Sequence, residues 1–191
     1  MSVSKLICPE DSVLIIIDIQ EKFVPVIRDI DAVTSRSCFI AEVAKLFDVP
    51  IIVTEQNPSA LGTSVKQIYD IAKSDYASRF EKITFSCWRD DAIKEAIRRF
   101  NRGTVLLAGI ETPVCILQTG LDLLDAGFDV YLCVDAISAR KELEHQLALS
   151  RLISSGAIAG TVETAAFEFM ESAEGLKFKE LLGLIKKWQT K

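Results

Sequence analysis

A three-layer, doubly wound α/β sandwich built on a mostly parallel sheet of six strands is the fold this sequence predicts, and three observations predict it. Short apolar runs rich in Val, Ile and Leu recur along the chain, each bounded by polar turn residues. The runs are continuous rather than alternating, as strands buried on both faces require. Helical patterns lie between them, so strand and helix alternate, and such alternation folds with right-handed crossovers between parallel strands.

In order, the strands are expected at 12–19 (SVLIIIDI), 49–55 (VPIIVTE), 81–86 (EKITFS), 103–109 (GTVLLAG), 128–135 (FDVYLCVD) and 156–162 (GAIAGTV). The helices are expected at 31–47, where Val33, Phe39 or Ile40, Val43 and Leu46 or Phe47 fall at helical spacing, and at 90–101, 113–126, 142–155 and 176–188. No linker, repeat or change of composition divides residues 1–191, so a single domain is expected. Apolar residues make up 49% of the chain, enough to fill one core and leave some apolar surface for subunit contacts.

Charge and cysteine usage exclude several function classes. The net charge of −5 gives no general attraction to phosphate backbones or anionic lipids, so nucleic acid and membrane are not expected partners. The opening MSVSKLICPEDSV lacks the pattern of a signal peptide, and VLIIIDI is too short to span a bilayer. Five cysteines, odd in number and without a C-x-x-C pair, argue against a disulfide framework or zinc ribbon and suit a reducing, cytoplasmic setting. The one histidine, His145, rules out a site built on two imidazoles. Neither a G-x-G-x-x-G turn after the first strand nor a Walker A sequence occurs, which weakens a nucleotide-binding reading.

In a doubly wound sheet the ligand site lies beyond the carboxyl ends of the strands, near the switch in strand order. The polar residues at those ends are Asp18, Gln20, Glu55, Gln56, Lys82 and Asp135, with Cys115 just beyond the fourth strand. Thr112 suits an N-cap and Pro113 the first helical position, which puts Cys115 at the third residue of a helix. Unpaired N–H groups and the helix dipole there favour a thiolate and predict a lowered pKa. Cys133 and Cys38 read as packing residues, Cys87 as core or boundary, and Cys8 as unpositioned. His145 shares a polar helical face with Glu142 and is not expected to pair with Cys115. Asp18 is the better base, because partial desolvation at a strand end brings a carboxyl toward the proton-transfer range. Lys82 is placed to stabilise both Asp18 and a thiolate, although from its local sequence alone it reads as a surface lysine.

Asp18 in IIIDIQEKF, Lys82 in EKITFS and Cys115 in GIETPVCILQTGLDLLDAGFDV, followed by VDAISAR, resemble the isochorismatase-like cysteine hydrolase family. With VTEQNPSALG and GLKFKELLGLIK, the chain is most similar to the subgroup of small isochorismatase-domain-containing proteins, from Ser12 to Trp188. The resemblance implies an Asp18–Lys82–Cys115 triad and a cis peptide between Ile110 and Glu111. That bond would turn the Glu111 N–H toward the same point as the Cys115 N–H, forming an oxyanion hole. The implied reaction is hydrolysis of a small amide or related acyl compound through a thioester. Nicotinamidases of the family bind a metal through an Asp and histidines after the second strand. TEQNPSALG contains no histidine, so no metal or other cofactor is expected. True isochorismatases cleave a vinyl ether without a nucleophilic cysteine, so Cys115 points to the amidase-like branch.

Gln20, Phe23, Glu55, Gln56 and Trp88 are candidates for substrate contact, and Pro113 stands where relatives more often carry a polar residue. The resemblance also suggests a homo-oligomer. The last helix, with Phe178, Leu181, Leu182, Ile185 and Trp188 on one side, is expected to dock on the sheet or a neighbouring subunit. The alternative is a non-catalytic oligomeric scaffold that retains the hydrolase fold.

Overall fold

Strand β1 (Ser12–Ile17) is buried along its whole length, and its side chains divide between two cores. Leu14 and Ile16 face one layer of helices, whereas Val13, Ile15 and Ile17 face the other. This two-sided burial explains why the run is apolar without a break. The computed structural model describes residues 6–189. The first five residues, part of the segment read as lacking a signal peptide, lie outside the described residues.

After β1 the chain runs through α1 (Ile30–Leu46), β2 (Ile51–Gln56), the short α2 (Pro58–Leu61), α3 (Lys66–Ala72) and β3 (Ala77–Lys82). It continues with α4 (Asp91–Arg99), β4 (Thr104–Ile110), a single π-helical turn at Thr112–Ile116 and α5 (Leu117–Asp125). The last elements are β5 (Asp129–Ser138), α6 (Glu142–Ser154), β6 (Ile158–Gly160), α7 (Val162–Met170) and α8 (Phe178–Gln189). The six strands order β3-β2-β1-β4-β5-β6, and every pairing is parallel. Residues of α1, α3, α7 and α8 fill one core, and residues of α4, α5 and α6 fill the other. The fold is therefore the three-layer α/β sandwich expected, with a sheet that is parallel throughout.

Strand order reverses between β1 and β4, and the chain leaves both strands there toward the same edge. Gly109 makes that close approach possible. Its φ is +112°, and a Cβ at this position would lie 2.1 Å from the Ile17 carbonyl oxygen. Only glycine fits between the two strands at the point where the site begins.

Several boundaries differ from the sequence reading. β3 ends at Lys82, whereas a strand was expected over 81–86. As an edge strand β3 is only partly buried, so its own sequence, ASRFEK, carries no apolar run, while the apolar Ile83 and Phe85 beyond it are 71% and 51% exposed. β5 extends to Ser138, with a register shift opposite Leu107 and Gly109. Asp135 therefore lies inside a strand rather than at its end, and its carboxylate accepts from the Val162 N–H at the start of α7. α8 docks against α1 of the same chain, with Leu181 and Ile185 buried and Lys187 Nζ bonded to Glu42 of α1. Among the described residues no helix is long and apolar enough to cross a membrane.

Candidate active site

The carboxyl ends of β1, β2, β3 and β4 bring Asp18, Thr54, Lys82 and Cys115 into one buried cluster. Asp18 follows the last residue of β1 in a left-handed conformation, φ 55°, which turns the chain out of the sheet. Lys82 is the last residue of β3. Cys115 lies in the π-helical turn after β4 and is 5% exposed, with Asp18 at 1% and Lys82 at 2%.

Lys82 Nζ lies 2.7 Å from Asp18 Oδ2 and 3.7 Å from Cys115 Sγ. It also donates to Gln56 Oε1 at 2.8 Å and lies 3.3 Å from the carbonyls of Thr84 and Phe85. Thr54 Oγ1 donates to Asp18 Oδ1 at 2.7 Å, so each carboxylate oxygen has a donor. The Cys115 thiol lies close enough to Asp18 for the carboxylate to act on it. The three residues predicted as a triad are thus in mutual contact, although they are separated by 64 and 33 positions in sequence.

The electrostatics correct one expectation. Burial would drive the Lys82 ammonium down, but Asp18, with Cys87 and Cys115, outweighs it and holds Lys82 above the usual lysine value. Lys82 is a fixed positive charge. Cys115 was expected to be acidic, yet burial and then the Asp18 carboxylate push its thiol up, and Lys82 compensates only in part. The reason is that a thiolate beside an ionised carboxylate in a dry site is penalised twice. The resting sulfur is therefore a thiol.

The local structure around Cys115 also differs in detail. Glu111, not Thr112, occupies the cap position, which puts Cys115 fourth in the turn. The Thr112 hydroxyl donates instead to the Ser138 carbonyl at 3.0 Å and meets His145 Nδ1 at 2.8 Å. Because that hydroxyl proton is used on Ser138, the imidazole supplies the proton to the second contact. Burial and then the Arg28 charge push His145 down, so it is neutral at pH 7 and braces the nucleophile turn from α6. The Ile110–Glu111 peptide is cis. The Glu111 side chain is 7% exposed and accepts from Arg140 Nε at 3.0 Å.

Four of the five side chains expected to touch substrate are committed to building the site. Gln20 Nε2 donates to the carbonyls of Gln56 and Gly62, and its Oε1 accepts from the Gln56 N–H. Glu55 is fully buried, accepting from the Ser64 N–H and from Arg79. Gln56 orients Lys82 through Oε1 while its Nε2 donates to the Ile83 carbonyl. Trp88 packs edge-on against Phe128, ring centroids 5.2 Å apart, with Arg98 over its other side. Phe23 is partly buried in a turn after β1 and packs on the α1 side of the sheet.

Two members of the cluster were not anticipated from the sequence. Thr54 sits inside the IIVTE run, where a single hydroxyl reads as strand. Cys87 is fully buried, its N–H donates to Thr119 Oγ1 at 2.9 Å, and its thiol reaches Thr119 and Thr54. Burial pushes that thiol up to about 11 despite Lys82, so it remains protonated.

Residues 12–164 match the family model described as Isochorismatase domain. Isochorismatase domain-containing protein 2A of Mus musculus is 37% identical over 182 residues, covering 94% of this chain and 85% of that protein. The solved structure of MAR1 ribonuclease from Caenorhabditis elegans superposes with a TM-score of 0.88 at 32% identity, covering 94% of this chain and 92% of that one. The YcaC gene product of Escherichia coli, described as an octameric hydrolase of unknown specificity, superposes with a TM-score of 0.86 over 100% of this chain and 99% of that one. Its identity is 20%, a likeness of fold alone.

Proposed function

The chain belongs to the isochorismatase family, and from that premise we propose that it hydrolyses a small amide or related acyl compound, with Cys115 as nucleophile. The observation that carries the proposal is the contact of Lys82 Nζ with both Asp18 Oδ2 at 2.7 Å and Cys115 Sγ at 3.7 Å inside a buried site. A thiol, a carboxylate and an ammonium so arranged can move one proton without ever exposing an uncompensated charge.

In the proposed reaction Asp18 takes the Cys115 proton as the sulfur bonds to the acyl carbon. The carbonyl oxygen becomes an oxyanion, received by the N–H groups of Glu111 and Cys115. Collapse breaks the C–N bond, and the departing amine takes the proton from Asp18. A water then attacks the thioester, passing one proton to Asp18, and the carboxylic product leaves as that proton returns to the sulfur. Lys82 stays charged throughout and offsets the negative charge that shifts between Asp18 and Cys115. The narrow exposure of Cys115, 5%, favours a small substrate.

The same reading makes the protein cytoplasmic and homo-oligomeric. Cys8, Cys87, Cys115 and Cys133 are free thiols, which suits a reducing compartment. Leu143 and Leu147, one turn apart on α6, are 69% and 62% exposed, apolar surface that a second copy would cover. RNA is not the proposed substrate, because a net charge of −5 gives no general attraction to phosphates.

The test is ammonia release from a panel of small amides and carbamoyl compounds, with an RNA oligonucleotide as a parallel arm. Turnover of at least one amide that disappears in Cys115→Ala and Asp18→Asn supports the proposal. Cleavage of RNA alone, or amide turnover that survives Cys115→Ala, overturns it. No turnover of any compound, together with an unreactive Cys115 thiol, favours the scaffold reading.

A further inference from the structure

Each oxygen of the Asp18 carboxylate is held by a different strand. Oδ2 meets Lys82 Nζ from β3, and Oδ1 meets Thr54 Oγ1 from β2, both at 2.7 Å. Thr54 is fully buried, and the residues before it in β2, Ile51, Ile52 and Val53, are apolar. A hydroxyl in that place is unfavourable unless it is bonded, and the bond it makes is to the ionised group, the stronger kind. Thr54 also pairs in register with Ile17, and its carbonyl accepts from the Asp18 N–H at 3.1 Å. Backbone and side chain of one residue therefore fix both ends of Asp18. A β-branched residue is stiff at χ1, so the donor direction is set by the strand itself.

We propose that Thr54 is a positioning residue for the general base, holding the Asp18 carboxylate in the plane that faces Cys115. The inference rests on the triad reading above and adds a fourth residue to it. Lys82 alone supplies charge but binds only one oxygen, leaving the carboxylate free to rotate about that contact. The Thr54 hydroxyl removes that rotation. The titratable groups facing Asp18 are Lys82 from β3, Cys115 from the π-helical turn and Cys87 from the segment after β3, and of these only Cys87 also touches the Thr54 hydroxyl.

The test is turnover of the small amide that the panel above identifies. Wild type is compared with Thr54→Val, Thr54→Ser, Asp18→Asn and the double variant Asp18→Asn/Thr54→Val, each checked for folding by its thermal melt. Thr54→Val keeps the shape of the side chain and removes only the hydroxyl. Its kcat is expected to fall about tenfold with KM unchanged, the scale of one charge-assisted hydrogen bond. Thr54→Ser restores the wild-type kcat, Asp18→Asn falls much further, and adding Thr54→Val to Asp18→Asn lowers it no more. A Thr54→Val kcat equal to wild type, or a loss not rescued by Thr54→Ser, overturns the role of Thr54 while leaving the triad intact. Full turnover in Asp18→Asn, or no amide turned over by wild type, overturns the base assignment itself.

Discussion

Cys115, beyond the tip of β4, and Cys133, inside β5, are both buried thiols, and burial is the first cause that pushes each one up. The difference lies in their neighbours. Cys133 has only the Asp135 carboxylate acting on it, a like charge that further opposes ionisation. Cys115 has the Asp18 carboxylate beside it and an ammonium 3.7 Å away. A proton leaving Cys115 has an acceptor, and the charge left behind has a partner. Burial alone thus makes a cysteine inert, and reactivity is set by what is buried beside it.

The sharpest way to break this comparison is to exchange the two cysteines for alanine in turn. Cys115→Ala is expected to lower amide turnover by at least about 10³-fold, the scale of losing a nucleophile, whereas Cys133→Ala retains turnover. Equal losses from both would reduce Cys115 to a packing residue. Next in size is Lys82→Met, which leaves the Asp18 carboxylate buried without its cation and is expected to cost about 3–5 kcal/mol in urea unfolding. Gly109→Ala follows, at about 3 kcal/mol by the same measurement, because the new Cβ meets the β1 backbone in a left-handed conformation. A smaller effect comes from pH. Folded Cys115, Cys133 and Cys87 keep their protons to higher pH than unfolded thiols, so the folded state binds more protons above the usual thiol value. Stability is therefore full below about pH 8.5 and falls as pH rises from there through about 11, with the melting temperature as readout. The smallest change is the stability cost of Cys133→Ala, about 1 kcal/mol. It shows the buried thiol contributing packing and nothing more.

How legible each part was in the sequence follows from its surroundings. β1, β2 and β4 are read from their apolar runs because they are covered on both faces. β3 is misplaced by four residues at each end because an edge strand alternates, while Ile83 and Phe85 beyond it imitate a core run. Asp18 and Cys115 stand out as polar groups at the ends of apolar segments. Thr54 and Cys87 do not, since a small polar side chain inside a strand or beside a tryptophan carries no sign of what it will face across the fold. The sign of the Cys115 shift was missed for a related reason. A helix terminus is local and readable, but the Asp18 carboxylate comes from 97 residues earlier, and its effect exists only once β1 and β4 pair. Gln20, Glu55 and Gln56 lie near strand ends as their sequence positions suggest, but only the folded structure shows which partners they bond.

The most direct test of the central claim is the rate at which iodoacetamide modifies each cysteine of the native protein near neutral pH, read peptide by peptide in wild type and in Lys82→Met. Cys115 is expected to react well ahead of Cys133 and Cys87, and to lose that lead in Lys82→Met, which removes the ammonium that offsets the charge on sulfur. A Cys115 no faster than Cys133, or one whose rate is untouched by Lys82→Met, would contradict the account.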